Sequence, residues 1–138
     1  MARHLELVAH IGGTGFPPDE ALERAWSAGV WERTGGRRSG APMARQIDAI
    51  RASGDRTAEL HRITAPTLVV HGDRDLLVHP SGGRATAAAI RGARNVEIPG
   101  MGHNLAPGVL DRLVGLTTEL AHAHGARVVP APSAGEPV

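Results

Sequence analysis

Apolar residues recur at helical spacing through the first 62 residues of the chain. This spacing predicts four helices, at residues 2–10, 19–31, 43–53 and 55–62. Two stretches rich in glycine and proline, residues 11–18 and 33–42, interrupt the pattern and predict loops. The first part of the chain is therefore expected to be helical and to contain no strand.

The pattern changes after Pro66. Residues 67–71 are a continuous apolar run between a proline and a glycine, which is typical of a strand buried on both faces. An alanine-rich stretch predicts a helix over 81–91, and residues 95–98 predict a second short strand. Because strand–helix–strand crossovers are right-handed, the two strands should be parallel, with their carboxyl ends at one edge of the sheet. Ligands bind at that edge in open α/β sheets.

A long helix is predicted over residues 107–124, where apolar positions form one stripe. Residues 125–138 contain three prolines and are predicted to be a disordered tail. The chain thus divides into a helical segment, 1–62, an α/β portion, 63–124, and the tail, 125–138. Its 138 residues, 41% apolar and 21% charged, are typical of a globular protein of class α/β.

Composition excludes several classes of function. The chain has no cysteine, so a disulfide framework, a thiol nucleophile and a thiolate metal site are excluded. Its 15 basic residues are all arginine, are scattered, and nearly balance 14 acidic residues, which argues against nucleic acid as a partner. The first 13 residues form neither a signal peptide nor a membrane span. We therefore expect a cytoplasmic protein with no membrane partner.

Two polar residues follow the predicted strands. Asp75 lies four residues past the first strand and His103 lies five past the second. An aspartate that accepts a bond from a histidine ring fixes its tautomer, and the histidine can then act as base and acid. Taken singly, each residue fits a turn or surface role. The order and topology favour a pair, whereas Asp73 is expected to bond its own loop backbone.

Other polar residues carry weaker signals. His71, Asp73, Asp75 and His79 are close in sequence, but helical spacing and thiolates are lacking, so no metal site is predicted. Ser81 follows Pro80 at the start of a predicted helix and should cap it or lie in its first turn. The aromatic residues Phe16, Trp26 and Trp31 could pack within the helical segment or line an apolar pocket.

The runs APTLVVHGDRDLLV and NVEIPGMGHNL resemble the C-terminal part of an α/β-hydrolase. The resemblance implies that Asp75, in the G-x-x-D pattern, is the acid of a catalytic triad and that His103, in the G-H pattern, is its base. It implies two short parallel strands of the hydrolase core in residues 63–124. Residues 1–62 would be a helical cap remnant and a connecting helix. An ester-like small molecule would be the substrate of the intact relative, an esterase-like serine hydrolase, with no cofactor.

The nucleophile of the triad has no counterpart in this sequence. The family motif is G-x-S-x-G, and none of the five serines has glycine at both flanking second positions. We therefore expect the isolated chain to be inactive, and epoxide or halide chemistry in the intact relative stays open. The alternative is a non-catalytic remnant or interaction module. Its open sheet edge would self-associate or bind a complementing chain.

Overall fold

The computed structural model describes residues 2–36 and 41–125. Within these ranges the chain is a mixed α/β protein with six helices and a two-stranded parallel sheet. Its elements are α1 (Ala2–Ile11), α2 (Glu20–Arg33), α3 (Ala41–Ser53), α4 (Thr57–Leu60), β1 (Leu68–Gly72), α5 (Pro80–Ala89), β2 (Arg94–Ile98) and α6 (Pro107–Ala123). The predicted tail lies, except for its first residue, outside the described residues, as does part of the predicted loop at 33–42.

The sheet has the predicted direction. β1 and β2 pair in parallel, with Leu68 opposite Arg94 and Gly72 opposite Ile98. Helix α5 connects the two strands and packs on both of them. Both carboxyl ends therefore lie side by side, and the loops that follow β1 and β2 are neighbours.

The hydrophobic core lies between the sheet and α6. Its buried members are Ile98, Met101, Ala106, Val109 and Leu116. Three half-buried strand residues pack against them, because alternate strand residues face the same side: Leu68, Val70 and Val96. The predicted helix is present in α6. Its predicted apolar stripe is only partly covered, because Leu113 packs against the core whereas Leu110 is exposed. Val109 and Leu116 are buried, whereas Val114 is exposed.

Helices α2 and α3 contribute no buried residue. Met43 and Ile50, which share a face of α3, are 61% and 65% exposed. Trp26 is 59% exposed and stacks on His4 of α1, with ring centroids 5.9 Å apart. Trp26 and Trp31 of α2 are therefore exposed on the surface, whereas Phe16 packs against the hydrophobic core.

Candidate active site

Asp75 and His103 are in direct contact. The Oδ2 atom of Asp75 lies 2.8 Å from the Nδ1 atom of His103, although 28 residues separate them in sequence. The Asp75 side chain is 6% exposed and that of His103 is 43% exposed. The parallel strand ends thus bring together the two residues that the sequence singled out. The carboxylate is buried and the imidazole is accessible.

Three hydrogen-bonding groups surround the Asp75 carboxylate and keep it charged. Oδ1 accepts hydrogen bonds from the backbone N–H groups of Leu77, at 2.8 Å, and Val78, at 2.9 Å. Burial raises the pKa of Asp75, but the bonds from Val78, the His103 ring and Leu77 lower it more, so its pKa is lowered from the ordinary value. Asp75 is therefore ionised at neutral pH and can only accept hydrogen bonds.

The charge of Asp75 fixes the tautomer of His103. Because a carboxylate has no proton to donate, the hydrogen in the 2.8 Å contact belongs to Nδ1 of His103. In the neutral ring the lone pair is then on Nε2. This arrangement leaves Nε2 able to take up a proton, and the carboxylate stabilises the imidazolium that forms.

Asp73 has a role that the sequence did not indicate. Its Oδ1 atom accepts a 2.7 Å hydrogen bond from the backbone N–H of Gly100, in the loop after β2. The expected bond to its own loop is replaced by this one, which spans 27 residues. Asp73 therefore ties together the two loops that carry Asp75 and His103.

Two glycines explain why these loops can approach so closely. A Cβ atom at Gly72 would lie 2.6 Å from the carbonyl oxygen of Gly102, and closer still to that of Met101. A Cβ atom at Gly102 would meet the backbone of Ile11 and Gly12. Real Cβ atoms essentially never come within 3.0 Å of such atoms. The glycine that ends β1 and the glycine before His103 are thus both required by backbone packing.

The chain after α1 packs against the loop that carries His103. Gly102 donates to the carbonyl oxygen of Gly12 at 2.9 Å, and His103 donates to that of Ile11 at 2.6 Å. The N–H of Gly100 is taken by Asp73. These backbone N–H groups are therefore already bonded and do not form an oxyanion hole. The sequence predicts only a loop for residues 11–18, and the glycines of that loop are compatible with this close packing.

A groove of about 810 Å³ opens beside the pair. Its lining comes from the C-terminal end of α1, from residues 73–76, and from the start of α5. Asp75 is part of this lining, but His103 is not among the described residues that form it. Arg84 and Glu97, which also line the groove, form an ion pair 2.5 Å long.

The described serines are placed away from a nucleophile position. Ser81 lies in the first turn of α5, as predicted, where its Oγ atom is 2.9 Å from Nδ1 of His79. Ser53 donates to the carbonyl oxygen of Ile50 in α3. Ser27 is on α2, and its Oγ atom is buried with no hydrogen-bond partner. Ser39 and Ser133 lie outside the described residues.

Across residues 2–36 and 41–125, no group of three histidines or carboxylates is arranged to hold a metal ion. The same part of the chain has no helix of the length and hydrophobicity that a membrane span requires. A comparison of the sequence with models of known protein families finds no match.

Proposed function

We propose that this chain carries the acid and base of a hydrolase-type catalytic triad, in the C-terminal part of an α/β-hydrolase fold. The observation that carries the proposal is the 2.8 Å contact between Asp75 and His103 at the carboxyl edge of two parallel strands. The order of the residues, acid and then base, agrees with that family. The G-x-x-D and G-H motifs that contain them are present in residues 72–75 and 102–103.

Each residue of the pair has a defined role in this proposal. His103 removes a proton from a nucleophile through Nε2 and then gives it to the leaving group. Asp75 holds the ring in the Nδ1–H tautomer and stabilises the imidazolium. In the intact relative the substrate is an ester-like small molecule and no cofactor takes part. Residues 1–62 form a helical cap remnant and the connecting helix.

The nucleophile and the oxyanion donors come from outside these 138 residues. Ser53 and Ser81 bond to nearby residues, Ser27 has no hydrogen-bond partner, and none of the three is in a G-x-S-x-G motif. The backbone N–H groups beside His103 are already bonded. Removing triad members leaves roughly 10³–10⁴ over water when the oxyanion hole is intact. Without that hole as well, we expect the isolated chain to have no serine hydrolase activity.

The activated ester p-nitrophenyl acetate tests both parts of the proposal. Nε2 of His103 can attack the ester carbonyl, release p-nitrophenolate and pass the acetyl group to water. This slow reaction of an exposed imidazole with an activated ester is distinct from enzymatic hydrolysis, for which the isolated chain is expected to be inactive. Its rate should fall in His103→Ala and, to a smaller extent, in Asp75→Asn. A fluorophosphonate probe should leave every serine unmodified in intact-mass measurements.

His124 provides the matched control for this assay. It is an exposed histidine whose Nδ1 donates to a backbone carbonyl, that of Leu120, at 2.9 Å. His124→Ala should therefore keep the slow turnover. Equal rates for the unsubstituted chain and His103→Ala would contradict the role of the pair. A serine adduct that depends on His103 would contradict the external nucleophile.

A second candidate function is supported by the exposed apolar surface. β1 pairs only with β2 within the described residues, so its other edge is free to bind a strand. Met43, Ile47 and Ile50 of α3 add an exposed apolar stripe. An interaction module would use this edge to self-associate or to bind a complementing chain. Sedimentation velocity tests it, since a monodisperse monomer at all concentrations would contradict self-association.

A further inference from the structure

His71 is a second histidine beside the Asp75 carboxylate. It lies on β1, its side chain is 13% exposed, and its Nε2 atom is 3.6 Å from the same Oδ2 atom that contacts His103. The same Nε2 atom is 2.8 Å from the carbonyl oxygen of Val78. Two acceptors thus converge on one ring nitrogen of His71.

The partners of His71 fix its protonation site. A carbonyl oxygen can only accept a hydrogen bond, so Nε2 of His71 carries a hydrogen and donates it to Val78. The carboxylate oxygen at 3.6 Å lies beyond a full hydrogen bond, but it is close enough for electrostatic attraction to that N–H.

The bond from His71 holds the loop that shapes the carboxylate. Val78 donates its N–H to Oδ1 of Asp75 at 2.9 Å and accepts from His71 through its carbonyl oxygen at 2.8 Å. One residue therefore joins the histidine of the strand to the carboxylate of the loop. If the Val78 backbone moved, Oδ1 would lose a donor and Oδ2 would rotate relative to His103.

Helix α5 closes the other side of the His71 ring. A Cβ atom at Gly83 would lie 2.8 Å from Nδ1 of His71 and 3.1 Å from its Cβ and Cγ atoms. The ring consequently fits only because residue 83 is glycine, and the buried backbone at Gly83 packs directly against it.

We propose that His71 is a positioning residue for the Asp75–His103 pair. Its Nε2–H is bonded to Val78, and Nε2 lies 3.6 Å from Oδ2. Together these contacts orient the carboxylate so that Oδ2 accepts from Nδ1 of His103. This inference rests on the proposed function for its catalytic meaning. Its physical content is that the tautomer of His103 depends on His71, although the described contacts include no hydrogen bond between these two histidines.

Long-range ¹H–¹⁵N spectra of the imidazole rings test this inference in the full chain at neutral pH. In the unsubstituted protein, His103 should be protonated mainly on Nδ1 and His71 on Nε2. His71→Phe removes the donor, and the ratio of the two His103 tautomers should shift about two- to tenfold toward Nε2–H. His71→Gln retains a donor and should restore most of the original ratio.

His61 provides the matched control. It is an exposed histidine whose Nδ1 donates to a carbonyl oxygen, that of Ala89, at 2.7 Å, with no described contact to the pair. His61→Phe should lower stability and leave the His103 tautomer unchanged. An unchanged ratio in folded His71→Phe, or an equal change in His61→Phe, would overturn the inference.

A measurement without any variant covers the case in which His71→Phe does not fold. A His71 ring that lacks the hydrogen on Nε2 would overturn the inference directly. These spectra need no catalysis, so they can fail while the ester assay succeeds. Conversely, an ester reaction that does not depend on His103 would contradict the proposed function and leave the His71 result intact.

Discussion

Gly72→Ala should push apart the two loops that carry Asp75 and His103. A Cβ atom there would lie 2.6 Å from the carbonyl oxygen of Gly102, whereas ordinary contact begins at 3.4 Å. The backbone at 102 would have to move by about 0.8 Å, and that at 101 by more. That backbone cannot yield easily, because Arg74 donates to the oxygen of Met101 at 2.9 Å and Gly102 donates to Gly12.

The expected cost follows from this geometry. Overpacking of this kind destabilises a protein by about 1–3 kcal/mol, and we expect the upper half of that range because the opposing atoms are main chain. A shift of this size would also lengthen the 2.8 Å contact between Asp75 and His103 beyond hydrogen-bond distance. Urea unfolding measures the first effect, and the downfield proton signal of His103 Nδ1–H measures the second.

Gly82→Ala is the matched control for this prediction. It makes the same chemical change in α5, where the nearest atom to the new Cβ is Cγ1 of Val78 at 3.7 Å. Alanine is favoured over glycine inside a helix, so this variant should be more stable by about 0.5–1 kcal/mol. Equal stability of Gly72→Ala and the unsubstituted chain, with the Nδ1–H signal retained, would refute the packing argument.

Three further predictions concern acid stability, an unpaired hydroxyl and a helix cap. The lowered pKa of Asp75 contributes stability above the unfolded-state value of about 3.8, and this is lost as the pH falls through the folded-state pKa. Between about pH 5 and 3, the melting temperature of Asp75→Asn should therefore fall less than that of the unsubstituted chain. Some loss of stability in acid should remain in this variant, because the pKa of Asp55 is also lowered. Ser27→Ala should raise the free energy of unfolding by about 1 kcal/mol, because the buried hydroxyl of Ser27 lacks a hydrogen-bond partner. A lower free energy of unfolding in urea titration would contradict this. Asp19→Ala should lower it by about 1 kcal/mol, since Asp19 caps α2 through two backbone N–H groups, and unchanged helicity by circular dichroism would argue otherwise.

Local patterns in the sequence were sufficient to predict most of the elements. The apolar run before Gly72 and the right-handed crossover predicted two parallel strands, and the structure has them. The proximity of Asp75 and His103 followed from that topology, because both come directly after strands that end at one edge. Their catalytic role stays a proposal.

The contacts missed by sequence reasoning are long-range backbone contacts. The bond from Gly100 to Asp73 and the packing of residues 11–15 against residues 100–103 depend on where loops meet, and periodicity contains no such information. The exposure of the apolar stripe on α3 was also unforeseen. An apolar stripe at helical spacing predicts a face that favours burial, but it contains no information on which surface covers that face.

A chimera tests the central claim most directly. Residues 63–124 would replace the corresponding C-terminal segment of an esterase with the α/β-hydrolase fold, whose own acid and base are thereby removed. We predict ester hydrolysis by the chimera, and a fall in kcat of about 10⁴ or more in its His103→Ala and Asp75→Asn variants. His124 is the last residue of the transplanted segment, so His124→Ala again serves as the control that keeps activity. A folded chimera without ester hydrolysis, or one whose activity survives His103→Ala, would contradict the account.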